Sequence, residues 1–312
     1  MLKRQLLQRL FQIVIVLFGI SFLSFLLIYL APGDPVRAMF AVTGNIPSEE
    51  ILADMREQMG LNRPFLVQYG HWLMNCLQGD FGTSYSQGKP VSEMLAVRVL
   101  PTLQLALLSL VMMLVMAVPA GVLSALHQNR FLDYFIRAVT FTGISLPNFW
   151  AGLLLIYFVA LKLELLPVVS TGMGLQKMIL PAFTLAFAMA GKYARQVRAA
   201  ILEEMSQDYV YGALARGLSE TVVLWRHVIP NAMLPLLTLL GLSLGSLLGG
   251  TAVVEVIFSY PALGSLAINA ITSMDYPLIQ GYVLWIALIY MIVNLAVDVS
   301  YSFLDPRLRK GV

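Results

Sequence analysis

Acidic residues inside stretches long enough to cross a membrane are functional candidates by default, because burying their charge in lipid is costly. Glu255 and Asp298 stand in such stretches. For Glu255 two interpretations stay open, a gate or pathway residue or a structural hydrogen bond at the membrane edge. A structural role is favoured for Asp298, one turn beyond Asn294. Neither carboxylate has a second partner at catalytic spacing, so acid/base chemistry is not indicated.

Residue types that bind metals or act as nucleophiles are sparse. The three histidines, His71, His127 and His227, are scattered over opposite sides of the predicted topology, so no metal site is expected. The single cysteine, Cys76, cannot form an intramolecular disulfide and is interpreted as a packing residue. No GxxxxGK(S/T) phosphate loop occurs, so the chain is not expected to bind ATP. An intramembrane enzyme would need a nucleophile, base or metal constellation, and none is found.

The elements that must position these residues are membrane helices. Of the 312 residues, 59% are hydrophobic and only 12% are charged, whereas about 25% charged residues is usual in soluble domains. Runs of roughly 20 apolar residues can cross hydrocarbon, where only helices or closed barrels satisfy the backbone. The runs do not alternate between apolar and polar residues, which favours helices. No basic cluster suggests nucleic acid.

Six apolar stretches are predicted to span the membrane, which puts both termini on one side of an all-α polytopic protein. That side carries most of the 20 lysines and arginines, and the positive-inside rule therefore makes it cytoplasmic. The predicted spans are 10–31, 100–126, 134–162, 178–198, 233–258 and 279–303.

The segment 32–98 is predicted to form a small helical extracytoplasmic cap between the first two spans. Ser48, followed by two glutamates, is typical of a helix start. A second helix is indicated by Pro64 near its start and Gly79 past its end. The cap is therefore expected to be ordered.

Two of the predicted spans are irregular. Pro147 interrupts the third and predicts a kink. The fourth has only residues 178–191 before Lys192, about 21 Å of helix, which is too short to span unless the helix continues. Lys192, Arg195 and Arg198 are therefore predicted to extend it toward the cytoplasm, with snorkelling to the headgroups favoured over facing a vestibule.

A polar segment, 203–230, separates the fourth and fifth spans. A short helix is predicted over 208–216, ended by Gly217, which accepts a left-handed conformation without a Cβ penalty. Ser219 is predicted to cap a next helix that ends at Pro230. An exposed helix tied to two spans can be a lever for a docked partner, or an interfacial helix resting on headgroups. The residues alone leave both interpretations open.

Several sequence patterns occur in the order found in a known transporter family. In the polar segment, DYVYGALARGLSETVVLWRHVIPNAMLP places Gly212 and Ala213 before Gly217. The other patterns are LAPGDP at 30–35, GLNRPFLVQYGHWL at 60–73, GDFGTSY at 79–85, ILPAFTLA at 179–186, GGTAVVEVIFSYPALG at 249–264, DYPLIQG at 275–281 and LDPRLR at 304–309. Together they resemble binding-protein-dependent ABC importer permeases of the dipeptide, oligopeptide, glutathione and nickel branch. Tyr211 replaces the glutamate of the general coupling motif, which this branch commonly lacks.

The resemblance implies a type I importer permease fold with six transmembrane helices, and the first of two paired permease subunits. The implied partners are a second permease subunit, two ATP-binding subunits or domains and an extracytoplasmic substrate-binding protein, in a bacterial-type inner membrane. ATP and Mg²⁺ would be held by the ATPase partners, with no cofactor on this chain. The chain would be a pore subunit and not itself an enzyme.

The resemblance also assigns a site for coupling to the ATPase. Gly212, Ala213 and Gly217 are expected to allow close approach to a groove on the ATPase, and Asp208 and Arg216 to supply polar contacts at its rim. ATPase closure would move the helix and open the pore outward, and hydrolysis would reset it. The full set of implied coupling residues is Asp208, Tyr209, Gly212, Ala213, Arg216, Gly217 and Leu218.

The expected domain organisation has three parts. Residues 1–31 form a cytoplasmic tail and the first span, 32–98 form the cap, and 99–312 form a five-helix permease core that includes 203–230.

One alternative function and several cargoes stay open. A secondary transporter driven by an ion gradient is the alternative, although such proteins often show repeated halves and midplane ion ligands, and neither is evident here. The cargo could be nickel, a metal chelate, glutathione, or a di- or oligopeptide. The SLPNFW stretch at 145–150 resembles nickel permeases slightly more.

Overall fold

The computed structural model describes residues 2–41, 47–170 and 174–304, and all regular elements among them are helical. An isolated antiparallel bridge joins Thr83 and Pro90. In chain order the helices are α1 (Leu2–Leu30), α2 (Pro35–Ala41), α3 (Glu49–Gln58), α4 (Phe65–Leu77), α5 (Val91–Leu126), α6 (Phe131–Ser145), α7 (Asn148–Leu155), α8 (Leu175–Met205), α9 (Asp208–Ala215), α10 (Glu220–Val223), α11 (Ile229–Gly250), α12 (Ala252–Ile257), α13 (Leu263–Thr272) and α14 (Tyr276–Leu304). Two π-helical segments, Ile156–Lys162 after α7 and Leu224–Val228 after α10, continue their neighbours.

Three single helices in the described part of the chain are long and apolar enough to cross a membrane: Leu7–Leu30, Val91–Leu126 and Tyr276–Val297. They correspond to the first, second and sixth predicted spans. The pair formed by α6 and α7 with its π-helical extension passes the same test jointly, as either a broken span or a re-entrant loop. The two remaining predicted spans, 178–198 and 233–258, lie in α8 and in α11 with α12, and their membrane insertion stays a prediction.

The third predicted span is bent far more sharply than a kink. Its two helices differ in direction by 104°. Leu146, before Pro147, is extended at φ −81° and ψ 129°, because a proline disfavours the helical region for the residue before it. The helix therefore stops at Ser145 and restarts at Asn148.

Contacts divide the chain into two compact units. The first unit comprises Met1–Thr102 and Pro261–Ile292, and the second comprises Leu103–Tyr260 and Val293–Val312. The predicted division into tail, cap and core refers to sides of the membrane, which these contact units do not test.

The first unit is organised around a fully buried carboxylate at the start of α14. Asp275 accepts hydrogen bonds from the hydroxyls of Ser84 and Ser86, at 2.6 and 2.7 Å, and from the backbone N–H groups of Tyr85 and Ser86, at 3.1 and 3.0 Å. These bonds fasten the loop before α5 to α14. They lie beside an apolar core that joins α5, α13 and α14 and includes Val91, Leu95, Leu263, Leu266 and Leu278.

The predicted boundaries of the two cap helices are confirmed. Ser48 is the N-cap residue of α3, although its side chain makes no capping hydrogen bond. Pro64 precedes α4, and Gly79 follows it at φ 85°.

In the second unit, α8 packs along α6 at small residues. A Cβ on Gly191 would lie 2.5 Å from the carbonyl oxygen of Thr140, so only glycine permits this approach. A Cβ on Gly121 of α5 would lie 2.5 Å from the Val197 side chain of α8. α8 thus forms close contacts with both neighbours before it continues to α9.

Candidate coupling site

The polar segment forms the short helix that the sequence predicts. α9 ends in a Schellman motif: Gly217, at φ 85°, donates its N–H to the carbonyl of Leu214 at 2.9 Å, and Leu218 donates to that of Ala213 at 3.3 Å. Ser219 caps α10 by accepting from the N–H of Val222 at 3.4 Å. The predicted roles of Gly217 and Ser219 as helix boundaries are therefore confirmed.

Pro230 does not end the following helix, contrary to the prediction. The chain continues from α10 through the π-helical segment Leu224–Val228 into α11, where Pro230 lies in the first turn. The π-helical segment interrupts the regular i→i−4 hydrogen-bond pattern just before Pro230, so the missing N–H of the proline falls where the α-helical pattern begins again. The polar segment is thus joined to the fifth predicted span without a break.

The inner face of α9 is packed into the apolar core of the second unit. Val210 and Ala213 are buried in a cluster with Val197 and Ile201 of α8 and with Val223 of α10. Further members come from α5 and α11. Packed interiors transmit displacement because they have few voids, so α9 is mechanically attached to the helices on either side of it.

This packing corrects one predicted role. Ala213 is only 2% exposed and faces the core of its own chain, so it cannot contact an ATPase groove in this conformation. The sequence motif does not distinguish the faces of so short a helix, because its small residues fit either face.

The outer face of α9 combines large exposed side chains with open glycines. Tyr211 is 61% exposed, and Leu214 and Leu218 are 37% and 38% exposed. A Cβ on Gly212 or Gly217 would meet no atom within 4 Å. The surface offered to a partner is therefore partly apolar, with Tyr211 as its most prominent side chain.

Polar residues hold and flank this helix. The Tyr209 hydroxyl donates to Glu204 Oε2 at 2.7 Å and lies 3.4 Å from the Asn231 side-chain nitrogen, which donates to it. Burial raises the pKa of Tyr209 further above neutral pH. This residue links α8, α9 and α11. Asp208 and Arg216 are exposed at the two ends of α9, as a rim contact requires.

The C-terminal half of α8 is fixed by an ion pair that the sequence does not predict. Arg198 makes two hydrogen bonds to Asp133 of α6, Nε to Oδ1 at 2.9 Å and Nη2 to Oδ2 at 2.8 Å. Asp133 is fully buried and also accepts from the Ser124 hydroxyl of α5 and the Asn129 N–H. The prediction that Arg198 snorkels is therefore wrong, because its charge is neutralised within the protein.

Arg195 and Arg198 share one surface cavity. The cavity has a volume of ≈ 530 Å³ and is also lined by Arg137, Tyr134 and Thr140. Arg195 is exposed, and its choice between vestibule and headgroups stays a prediction. A buried carboxylate needs a cation or several hydrogen bonds, but the sequence shows neither that Asp133 is buried nor which cation it meets.

Glu255 and Asp298, the two acidic residues of the predicted spans, lie in α12 and α14. Glu255 is fully buried and accepts a hydrogen bond from the Thr251 hydroxyl at 2.5 Å. This contact, one helical turn apart, gives Glu255 a structural partner, and a gate or pathway role stays open beside it. Asp298 falls within α14, but its side chain lies outside the described residues. Among the described residues, no group of three or more His, Cys, Asp or Glu side chains could hold a metal ion.

Comparison with known proteins identifies the family over both parts of the chain. Residues 117–310 match the family described as binding-protein-dependent transport system inner membrane component. Residues 1–106 match the N-terminal family of the same membrane components.

Relatives match along nearly their whole length. The probable D,D-dipeptide transport system permease protein DdpB of Escherichia coli (strain K12) is 36% identical, with 97% of both chains covered. The glutathione transport system permease protein GsiC of the same strain is 38% identical, again with 97% of each chain covered. GsiC of Salmonella typhimurium (strain LT2) is 39% identical over 97% of this chain and 98% of its own.

Solved structures share the fold. A structure of the MetNI methionine ABC transporter in an inward-facing conformation has a TM-score of 0.56 at 19% identity, covering 68% of this chain and 96% of its own. An amino acid ABC transporter has a TM-score of 0.53 at 20% identity, covering 69% and 94%. The fold is that of a type I ABC importer permease, which works with ATPase subunits and a binding protein. The chain therefore belongs to the binding-protein-dependent transport system inner membrane components, as a multi-pass permease subunit of a peptide-family ABC importer.

Proposed function

We propose that this chain imports small peptides, the class that includes dipeptides and glutathione, as the first of two paired permease subunits. The observation that carries the proposal is identity of 36% to 39% to dipeptide and glutathione permeases over 97% of the chain. Residues 145–150, which resemble nickel permeases slightly more, form the sharp bend between α6 and α7. The proposal gives more weight to relatives named for dipeptide and glutathione transport, because they match almost the whole chain.

The proposed complex contains this chain, a second permease, two ATP-binding subunits and an extracytoplasmic binding protein. ATP and Mg²⁺ are bound by the ATP-binding subunits, and both termini of this chain are cytoplasmic. The polar segment 203–230 then lies on the side where ATP is available.

Energy enters through the outer face of α9. Tyr211, Leu214 and Leu218 contact the ATPase, and Gly212 and Gly217 leave room for a close approach. Asp208 and Arg216 make polar contacts at the rim. Because the inner face of α9 is packed against α8 and α11, movement of the ATPase is transmitted to both of those helices.

Reconstitution tests this function. The chain is placed in proteoliposomes with its second permease and ATPases, with ATP inside and the binding protein outside, and uptake of a labelled dipeptide is measured. Uptake is expected only when ATP and the binding protein are both present. Uptake by this chain alone, driven by an ion gradient, would contradict the proposal and support the secondary-transporter alternative.

The cargo has a separate test in the partner protein. Calorimetry of the binding protein is expected to show binding of dipeptides or glutathione. Binding of nickel chelates with no binding of peptides would replace the proposed cargo and leave the coupling mechanism intact.

A further inference from the structure

α4 packs against the membrane-spanning part of α1, although the sequence places it in an external cap. Its Tyr69 and Trp72 rings contact Phe22 and Phe25 of α1, with centroids 5.3 Å apart in the Phe22–Tyr69 and Phe25–Trp72 pairs. The Tyr69 hydroxyl also lies 2.8 Å from the Ser21 hydroxyl in a buried hydrogen bond. These contacts fix the position of α4 along α1.

The position of Ser21 gives the depth of this contact. The apolar stretch of α1 runs over Leu7–Leu30. At about 1.5 Å per residue, Ser21 lies roughly 14 Å inward of Leu30, close to the middle of the stretch. Since a bilayer's hydrocarbon core is about 30 Å thick, Tyr69 lies at a depth where there is no bulk water.

The composition of α4 fits that depth. Its sequence, FLVQYGHWLMNCL, contains no Asp, Glu, Lys or Arg. The neighbouring α3 is the opposite, with charged side chains at Glu49, Glu50, Asp54, Arg56 and Glu57. The two helices thus suit different surroundings, α3 water and α4 an apolar environment.

α4 has a second apolar face that α1 does not cover. Leu66, Met74 and Leu77 are 69%, 58% and 77% exposed. At 100° per residue they lie within one arc, next to the arc that meets α1. The polar side chains of Gln68, His71 and Asn75 share the remaining arc. In water, this second face would form an exposed apolar patch of the kind that marks an interaction surface.

We propose that α4 is embedded in the outer leaflet and that its face formed by Leu66, Met74 and Leu77 contacts lipid acyl chains. The face continues the lipid-facing surface of α1, where Leu23 and Leu27 are 58% and 69% exposed. The polar arc turns away from lipid. The extracytoplasmic cap then begins in the membrane rather than on top of it.

Lipid quenching tests this assignment in the assembled importer. Cys76 is first replaced by Ala, and single cysteines are introduced as Leu77→Cys and, for the aqueous reference, Glu50→Cys. Each cysteine is labelled with bimane, and a thiol that the folded protein protects is labelled before the complex is assembled. The complex is then placed in nanodiscs that contain lipids brominated along the acyl chain. Asn75→Cys, on the polar arc of the same helix, is the matched control.

Bimane at position 77 is expected to be quenched strongly by brominated lipid, and bimane at 75 more weakly. The unlabelled Leu77→Cys thiol is expected to react with a charged maleimide at least tenfold more slowly than Glu50→Cys. Equal reactivity at 77 and 50 would place α4 in water and overturn the proposal. Protection from maleimide without quenching would also overturn it, because a protein partner would then cover the face.

Discussion

At the scale of single residues, Gly217 is constrained by its backbone and not by its neighbours. Its φ is 85°, while a Cβ at this position would meet no atom within 4 Å. A left-handed conformation costs an L-residue roughly 1 to 2 kcal/mol, and a β-branched residue is the least suited to it. The Schellman bonds that end α9 depend on this conformation. A substitution of Gly217 should therefore disturb the end of α9 through the backbone, without a steric clash inside this chain.

Gly217→Val is expected to loosen the end of α9 and to lower both uptake and binding-protein-stimulated ATP hydrolysis several-fold. Both rates are measured in proteoliposomes. Gly217→Asn is the comparison for the backbone effect: asparagine tolerates the left-handed region but, like valine, adds a side chain facing the ATPase, so it should lower both rates less than Gly217→Val. Wild-type coupling in Gly217→Val would remove the basis for this role.

Two substitutions of Glu255 separate the two interpretations of its role, because one keeps a hydrogen-bond acceptor and the other does not. Glu255→Gln keeps a carbonyl oxygen that can accept from Thr251 and removes the charge, so uptake is expected to stay near the wild-type rate. Glu255→Ala leaves the buried Thr251 hydroxyl without this acceptor, at a cost of about 1 to 3 kcal/mol. It should lower the apparent melting temperature of the complex. Loss of uptake in Glu255→Gln with unchanged melting would instead support a gate.

Residue types predicted local geometry well and distant contacts poorly. Gly217 and Ser219 could be placed from the sequence because a helix boundary depends on a few neighbouring residues. The Asp133–Arg198 pair could not, because its partners are 65 positions apart and meet only through the packing of α6 on α8. The inward direction of Ala213 likewise depends on the core behind α9.

At the scale of elements, α8 connects the coupling site to the rest of the second unit. Its C-terminal half is bound to α6 by the Asp133–Arg198 pair, and its last turn is bound to α9 through Glu204 and Tyr209. The apolar cluster under α9 adds contacts to α5 and α11. A displacement of α9 therefore reaches several helices at once.

Asp133→Ala is expected to destabilise the protein by on the order of 3 kcal/mol, because it leaves the partly buried Arg198 without its counter-charge. The readout is the apparent melting temperature of the detergent-solubilised complex, together with coupled ATP hydrolysis. The double variant Asp133→Leu with Arg198→Met removes both charges at similar volume and should recover most of the lost stability. If the single and double variants melted alike, the ion pair would not be the cause.

The sequence predicted which elements exist better than how they join. A proline normally limits a helix, yet Pro230 lies in the first turn of α11 because the π-helical segment before it keeps the chain helical. Pro147 has the opposite outcome, a 104° change of direction where a kink was expected. Whether a proline bends, starts or ends a helix depends on the packing around it, which composition does not specify.

At the scale of the whole molecule, the family and fold were predicted because matching patterns occur along almost the entire chain. The contact units were not predicted, since residues 261–292 join the unit formed by the first part of the chain. Local sequence patterns do not show that these distant residues pack with the first part of the chain. The embedded position proposed for α4 was not predicted either. It follows from contacts with α1 and not from the length of the apolar run in α4.

The central claim is that the outer face of α9 docks the ATPase, and a photo-crosslinker tests it most directly. A benzoylphenylalanine is placed at Tyr211 in the assembled importer, and a second version carries it at Phe131, an aromatic residue that is 84% exposed at the start of α6. Irradiation is expected to link position 211 to the ATP-binding subunit and position 131 far less. Crosslinks from position 211 only to lipid, or to the ATPase no more than from position 131, would contradict the account.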